Sequence, residues 1–221
     1  MSTKVTASVE NPELVQKRRA QIVRAATKLF SSNGFNNTTI KELAAEAGIS
    51  QGLVYLYVRE KEDVLLLVLQ QVVEEYAVEI PRSIVGVKNP LECLVRAIDA
   101  YCRVVDRHLA ATTLAYQATK SLSQSRRNSI QESEMETNAI IGEIIRDCIG
   151  QGILRPVNVD ILTYQIVFAA HGWALKGWYF KPRISLDEYI SDTIDIILNG
   201  LLTPEGQELF DNLPDGLFSP I

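Results

Sequence analysis

Apolar residues in the first thirty positions return at intervals of three and four: Ile22, Ala25, Ala26, Leu29 and Phe30. That period marks one face of an α-helix over about residues 12–32. Asn33-Gly34 stops it, and Phe35 drops back into the core. The spacing resumes in residues 39–47 with Ile40, Leu43, Ala44 and Ala47. Thr39 and Glu42 form a capping box at the start of this helix, and Gly48 stands where it must end with a positive φ. Ser50 caps a second short helix, whose apolar face carries on through Val54 and Tyr57. From Lys61 to about Glu79 a broader stripe runs through Val64, Leu65, Val68, Leu69, Val72 and Val73, and Pro81 is expected to end it.

Residues 83–90 (SIVGVKNP) read as a loop. Beyond it the texture stays helical, over about 91–109, 112–122 and 129–150, with a polar break at 121–128. Residues 158–180 are apolar all round: Ile161, Leu162, Tyr164, Ile166, Val167, Phe168, Leu175 and Trp178 surround the axis. Such a helix has to be buried on every side. Residues 186–202 carry a stripe of Leu186, Ile190, Ile194, Ile197 and Leu201, flanked by Tyr189, Thr193 and Ile196. The ends lack periodicity. Residues 1–11 read as a mobile arm whose Lys4 could reach a phosphate, and a loose tail follows Thr203. The fold class is all-α.

Ala44 and Gly48 give residues 39–57 a more specific meaning. Two helices crossing steeply need a methyl-sized side chain at the crossing, and the short turn between them needs a glycine. This is the helix-turn-helix pattern, against the plainer alternative of a helical hairpin in a core. In such a motif the second helix lies in the major groove and its first residues meet base edges. Here these are Gln51, Gly52 and Leu53, with Ser50 at the cap. Gln51 can pair with adenine through two hydrogen bonds, Leu53 can touch a thymine methyl, and Gly52 lets the backbone approach. Tyr55 and Tyr57 carry hydroxyls suited to phosphate oxygens, with core packing the alternative for Tyr57. Lys17, Arg18, Arg19 and Arg24 are further candidates for backbone contact.

Charge supports this reading once it is divided. The net charge of -5 argues superficially against a polyanionic partner. Residues 1–61 hold nine Lys/Arg against five Asp/Glu, or +4; the remainder holds thirteen against twenty-two, or -9. A basic end on an acidic body presents one face to nucleic acid. No signal pattern opens the chain and no apolar run approaches a membrane span of ~20 residues. The three cysteines, Cys93, Cys102 and Cys148, form no CxxC and fit a cytoplasmic protein with thiols as small core residues.

Residues 19–66 resemble the TetR family of bacterial one-component repressors. Three blocks carry the resemblance: IVRAATKLFSSNGFNNTT, the helix-turn-helix, and GLVYLYVREKEDVLL running into a Lys-Glu-Asp helix start. Two positions depart from the family's habit: Val58 stands where Phe is usual, and Glu60, an acid close to the phosphates, where Ser is usual. The resemblance implies that Thr39 and Lys61 also take phosphates, and helix starts with free N–H groups suit that role. It implies an N-terminal three-helix DNA-binding domain (1–60), a connecting helix (61–80) and a larger helical ligand-binding and dimerisation domain (81–221).

In the larger part, residues 158–180 and 186–202 from each of two chains would make a four-helix interface, giving a homodimer on a near-palindromic operator. Polar and aromatic residues set in apolar helices are candidate pocket linings: Tyr101, Arg103, His108, Tyr116, His171, Trp173 and Trp178. A bulky, largely apolar effector with a polar or acidic end for Arg103 or His171 fits them, such as an acyl-CoA or an aromatic catabolic intermediate. A regulator without a ligand is the alternative. An enzyme finds no support: the two histidines lack metal-helix spacing, there is no GxSxG, phosphate loop or paired-carboxylate motif, and no metal or cofactor is expected.

Overall fold

The computed structural model describes residues 5–214. Those residues are helical, joined by short turns, with a single isolated bridge between Leu154 and Leu202 and no strand. They divide into two compact units, one from residues up to Val73 with Ala110–Glu134, the other from Glu74–Leu109 with residues from Met135 onward.

The first unit begins with α1 (Pro12–Asn33), capped by the Asn11 side chain and opened by Pro12, which has no N–H to waste there. Ile22, Val23, Ala25, Ala26 and Phe30 form its buried face, and Phe35 packs edge-on against Phe30 at 5.1 Å. Then come α2 (Ile40–Glu46), α3 (Gln51–Tyr55) and the first half of α4 (Lys61–Ser83). The unit also takes in α6 (Leu109–Ala118), a 3-10 turn at Thr119–Ser121, and the start of α7 (Gln124–Gly150). Leu43, Val54, Val64, Leu65 and Leu66 are almost wholly buried in it. Each stabilises the fold by about 1.5–3 kcal/mol.

In the second unit α5 (Pro90–Arg107) packs against α8 (Val159–Leu175), with α10 (Leu186–Leu198) touching both. Its buried face is continuous from Leu91 to Val105. The short α9 (Gly177–Phe180) follows α8, and α11 (Pro204–Asp211) lies on α5. The loop after α4 falls inside this unit; α4 and α7 each run on from one unit into the other.

Several expectations are corrected. Pro81 does not end α4, which continues to Ser83; in a last turn proline forfeits little more than one hydrogen bond. The polar break at 121–128 shrinks to two or three residues, because the Ser- and Arg-rich stretch winds into the first turns of α7. The helix expected over 158–180 breaks at Lys176, whose backbone leaves the helical region at φ -119° and ψ 21°. The tail after Thr203 is ordered through α11: Thr203 caps it, Pro204 opens it, and Gly206 is pressed against the Ile153 carbonyl. The arm is also tied down where it is described. Ser8 donates its N–H to Leu56 O at 2.8 Å, and Arg19 Nη2 donates to Val5 O at 2.6 Å. Lys4 lies outside the described residues.

Candidate functional site

α2, the turn and α3 form the candidate nucleic-acid interface. Thr39 caps α2 through the full capping box: Glu42 N–H donates to Thr39 Oγ1 at 3.2 Å, and Thr39 N–H donates to Glu42 Oε2 at 2.7 Å. The Thr39 backbone and hydroxyl hydrogen bonds hold the Glu42 carboxyl below its usual pKa. Gly48 takes φ +66°, a left-handed conformation that side chains avoid. Gln21 Nε2 donates to Ala47 O at 2.5 Å, so α1 grips the turn. Ser50 Oγ accepts Leu53 N–H at 3.2 Å and caps α3.

From that cap the side chains of α3 sort into two faces. Val54 points inward, as do Tyr57 and Val58 just beyond the helix, and the three anchor it. Gln51 and Gly52 are exposed, Leu53 is partly so, and Tyr55 is 46% exposed. A Cβ built on Gly52 meets nothing within 4 Å, so its backbone is open to an approaching surface.

Two predicted phosphate contacts have other occupations. Tyr57 is only 2% exposed, so it takes the packing alternative; its carbonyl accepts from the Arg19 guanidinium at 3.2 and 3.3 Å. Lys61 Nζ donates to Phe35 O, Asn36 O and Thr38 O at 2.8, 3.1 and 2.9 Å. Its three N–H groups are thereby spent on closing the turn between α1 and α2, with the Phe35 ring 4.6 Å away. Lys17 and Arg24 remain exposed on α1.

Of the predicted pocket residues, Tyr101 and His171 come together. Tyr101 stacks on Tyr76 at 4.1 Å, and His171 Nε2 lies 3.4 Å from Tyr101 Oη and 3.5 Å from Tyr76 Oη. Burial pushes the His171 imidazole down to about 4. Trp173 donates Nε1–H to Asp106 at 2.8 Å and packs on Tyr189, while Lys181 also donates to Asp106 at 3.0 Å. Arg103 is bound to Asp99 at 2.9 Å and Asp187 at 2.8 Å, so its charge is already met. His108 Nε2 is 2.5 Å from Glu75, which Arg107 also holds. Burial alone would raise the Glu75 pKa, but these two partners bring it below its usual value. Tyr116 belongs to the first unit, and Trp178 is 74% exposed.

Sequence reasoning passed over two residues of the second unit. Asn138, on α7, is 3% exposed, yet neither end of its carboxamide has a hydrogen-bond partner. The buried Thr163 hydroxyl, on α8, has none either, and it lies 3.6 Å from where a Cβ on Gly142 would be. A signal was available: Asn138 falls three residues before Ile141 and seven before Ile145, in the apolar stripe of α7.

Comparison with known proteins now decides the family. Residues 22–68 match the model of bacterial regulatory proteins of the tetR family, and residues 87–201 match the tetracyclin repressor-like C-terminal domain. The chain belongs to the TetR family. It is 46% identical over 210 residues to the HTH-type transcriptional regulator HbdR of Aromatoleum sp. (strain CIB), spanning 95% of this chain and 92% of that one. It is 25% identical to the repressor KstR2 of Mycobacterium tuberculosis over 87% of this chain and 96% of that one. The fold matches solved structures of the ketosteroid regulator KstR2 (TM-score 0.71, 20% identity, 90% of this chain and 100% of that one). It also matches AibR in complex with isovaleryl coenzyme A and operator DNA (TM-score 0.71, 18% identity, 81% and 97%). The chain is thus a TetR-type transcriptional regulator, from a family of regulators rather than enzymes. No described helix is long and apolar enough to cross a membrane.

Proposed function

We propose that this regulator is a ligand-responsive repressor that binds a near-palindromic operator as a homodimer and leaves it when a small, largely apolar effector enters the helical body. The observation that carries the reading is α3. Its inward side chains are fixed in the core, while Gln51, Gly52, Leu53 and Tyr55 stand on the solvent side of a capped helix. Thr39 and Ser50 frame that face. Gln51 and Leu53 read base edges, and Tyr55 and the helix starts hold phosphates. Lys61 acts behind them by closing the turn.

The dimer reading rests on α8, α9 and α10, the helices of residues 158–180 and 186–202. Ile161, Phe168 and Trp178 are exposed there, and Ile196 is 81% exposed. Neighbouring large apolar residues left in water mark a surface for a partner, and a second copy uses the same patch twice.

Asn138 and Thr163 support the effector. Both are polar groups set among buried apolar side chains, where an effector's polar end would find hydrogen-bond partners. The apolar setting suits an acyl-CoA or aromatic intermediate, in keeping with AibR in complex with isovaleryl coenzyme A and with the ketosteroid regulator KstR2. The test is an anisotropy titration on a duplex that the protein itself selects from random sequence, with acyl-CoA thioesters, aromatic acids and steroids added in turn. One class should release the duplex, through a coupling of about 1–3 kcal/mol. Undiminished binding with every class present would leave a regulator without a ligand.

A further inference from the structure

One guanidinium holds the junction between α3 and α4, and it comes from a distant part of the sequence. Arg126 lies in the first turn of α7. Its Nη2 donates to Glu60 Oε1 and Asp63 Oδ1, each at 2.6 Å, and its Nη1 donates to Glu62 Oε2 at 2.9 Å. The same Glu62 oxygen accepts the Ser123 N–H at 2.9 Å, and the other Asp63 oxygen accepts the Arg59 N–H at 2.9 Å. All of these residues belong to the first unit.

This is not an ordinary surface ion pair, of the kind that contributes little. Asp63 is buried, and the Arg126 side chain is 15% exposed. Burial would lower the guanidinium pKa, but Asp63 and Glu60 more than offset it and the net shift is upward. A planar fork holds several carboxylates in fixed directions, with a reach and rigidity that a lysine ammonium lacks. Without the cation, three acids within four residues would repel one another at the start of α4, with Asp63 buried and unpaired. Five residues separate that start from the last residue of α3.

We propose that Arg126 is a positioning residue for DNA binding: it clasps the start of α4 and so fixes the tilt of α3, without touching DNA itself. The proposal rests on the DNA-binding reading above. It also gives Glu60 a role, because its charge is taken up by Arg126 instead of being left to face the phosphates. Arg126 falls in the stretch that matches the C-terminal family model, while its three acids fall in the stretch that matches the N-terminal one. The clasp therefore lets α7 hold the head that α3 belongs to.

The experiment measures affinity for a duplex selected by the wild-type protein, as a function of salt, for R126Q, R126K and E60Q in the full-length chain. R126Q should bind about tenfold more weakly, since breaking a buried network leaves its acids unpaired. Its slope of log affinity against log salt should stay at the wild-type value, because a lost phosphate contact would reduce the slope by about 0.9. R126K should recover part of the loss. E60Q should weaken binding about threefold by removing one arm of the clasp. Tighter binding by E60Q, as expected of an acid that merely repels phosphate, overturns the proposal. So does a folded R126Q that binds like wild type, or one whose salt slope falls by about one. If R126Q does not fold, E60Q decides, because the Glu60 side chain is the most exposed of the three acids. A wild-type protein that selects no duplex sinks the DNA-binding reading and the clasp together; equal binding by wild type and variants sinks the clasp alone.

Discussion

Single residues on α3 divide their work by direction. Gln51 points outward from a helix start and has no structural duty, so Gln51→Ala should leave stability unchanged and relax preference at one or two base pairs, by about 1–3 kcal/mol. Tyr55→Ala should weaken binding to every duplex alike. Equal losses for Gln51→Ala on selected and random duplexes would remove Gln51 from base reading. His171 gives a different residue-scale expectation. Its folded-state pKa of about 4 lies below the ordinary 6.5, so the unfolded chain binds the extra proton first as pH falls. Its contribution is complete above pH 6.5 and is lost on the way down to about pH 4, a loss of about 3 kcal/mol. Urea unfolding across that range should show the decline, and His171→Phe should flatten it. An unchanged slope in the variant would place the proton uptake elsewhere.

Elements carry the next set of claims, and they show what could be read in advance. α1, α2, α3 and the start of α4 were legible because their signals are local: a capping box at Thr39, a left-handed glycine at 48, a cap at Ser50, and apolar residues every three or four positions. The first turns of α7 were not. Ser123 to Arg127 is polar and reads as a break, but a long-range partner set, Glu60, Glu62 and Asp63, holds it, and no local pattern encodes that. Tyr57 and Lys61 were read for their chemistry, although burial and three carbonyls had already claimed them. Tyr101 and His171 come together, but Arg103, His108 and Trp173 each have a carboxylate of their own, because a polar residue in an apolar helix announces that it needs a partner, not which one. α11 was missed because its hold on the body is a close approach at Gly206. A Cβ there would collide with the Ile153 carbonyl oxygen. Gly206→Ala should therefore destabilise the protein by about 1–3 kcal/mol, the usual cost of overpacking. A melting temperature equal to wild type would mean that α11 is free to shift.

At the scale of the whole molecule, a basic head and an acidic body with exposed apolar helices point to an assembly. Ile196→Asp places a charge on the most exposed apolar residue of α10 without disturbing the core. Sedimentation should then show a dimer for the wild type and a monomer for the variant, with the helical circular dichroism kept in both. Operator affinity should fall with it, because each half-site alone lacks the gain of linked binding. A variant that remains dimeric would move the interface away from this face. The most direct measurement of the central claim, that two α3 helices read adjacent major-groove segments, is a hydroxyl-radical footprint of the wild-type protein on its selected duplex. The account predicts two protected patches related by a two-fold axis and separated by about one helical turn, roughly 34 Å. A single patch, or protection with no fixed register, would contradict it.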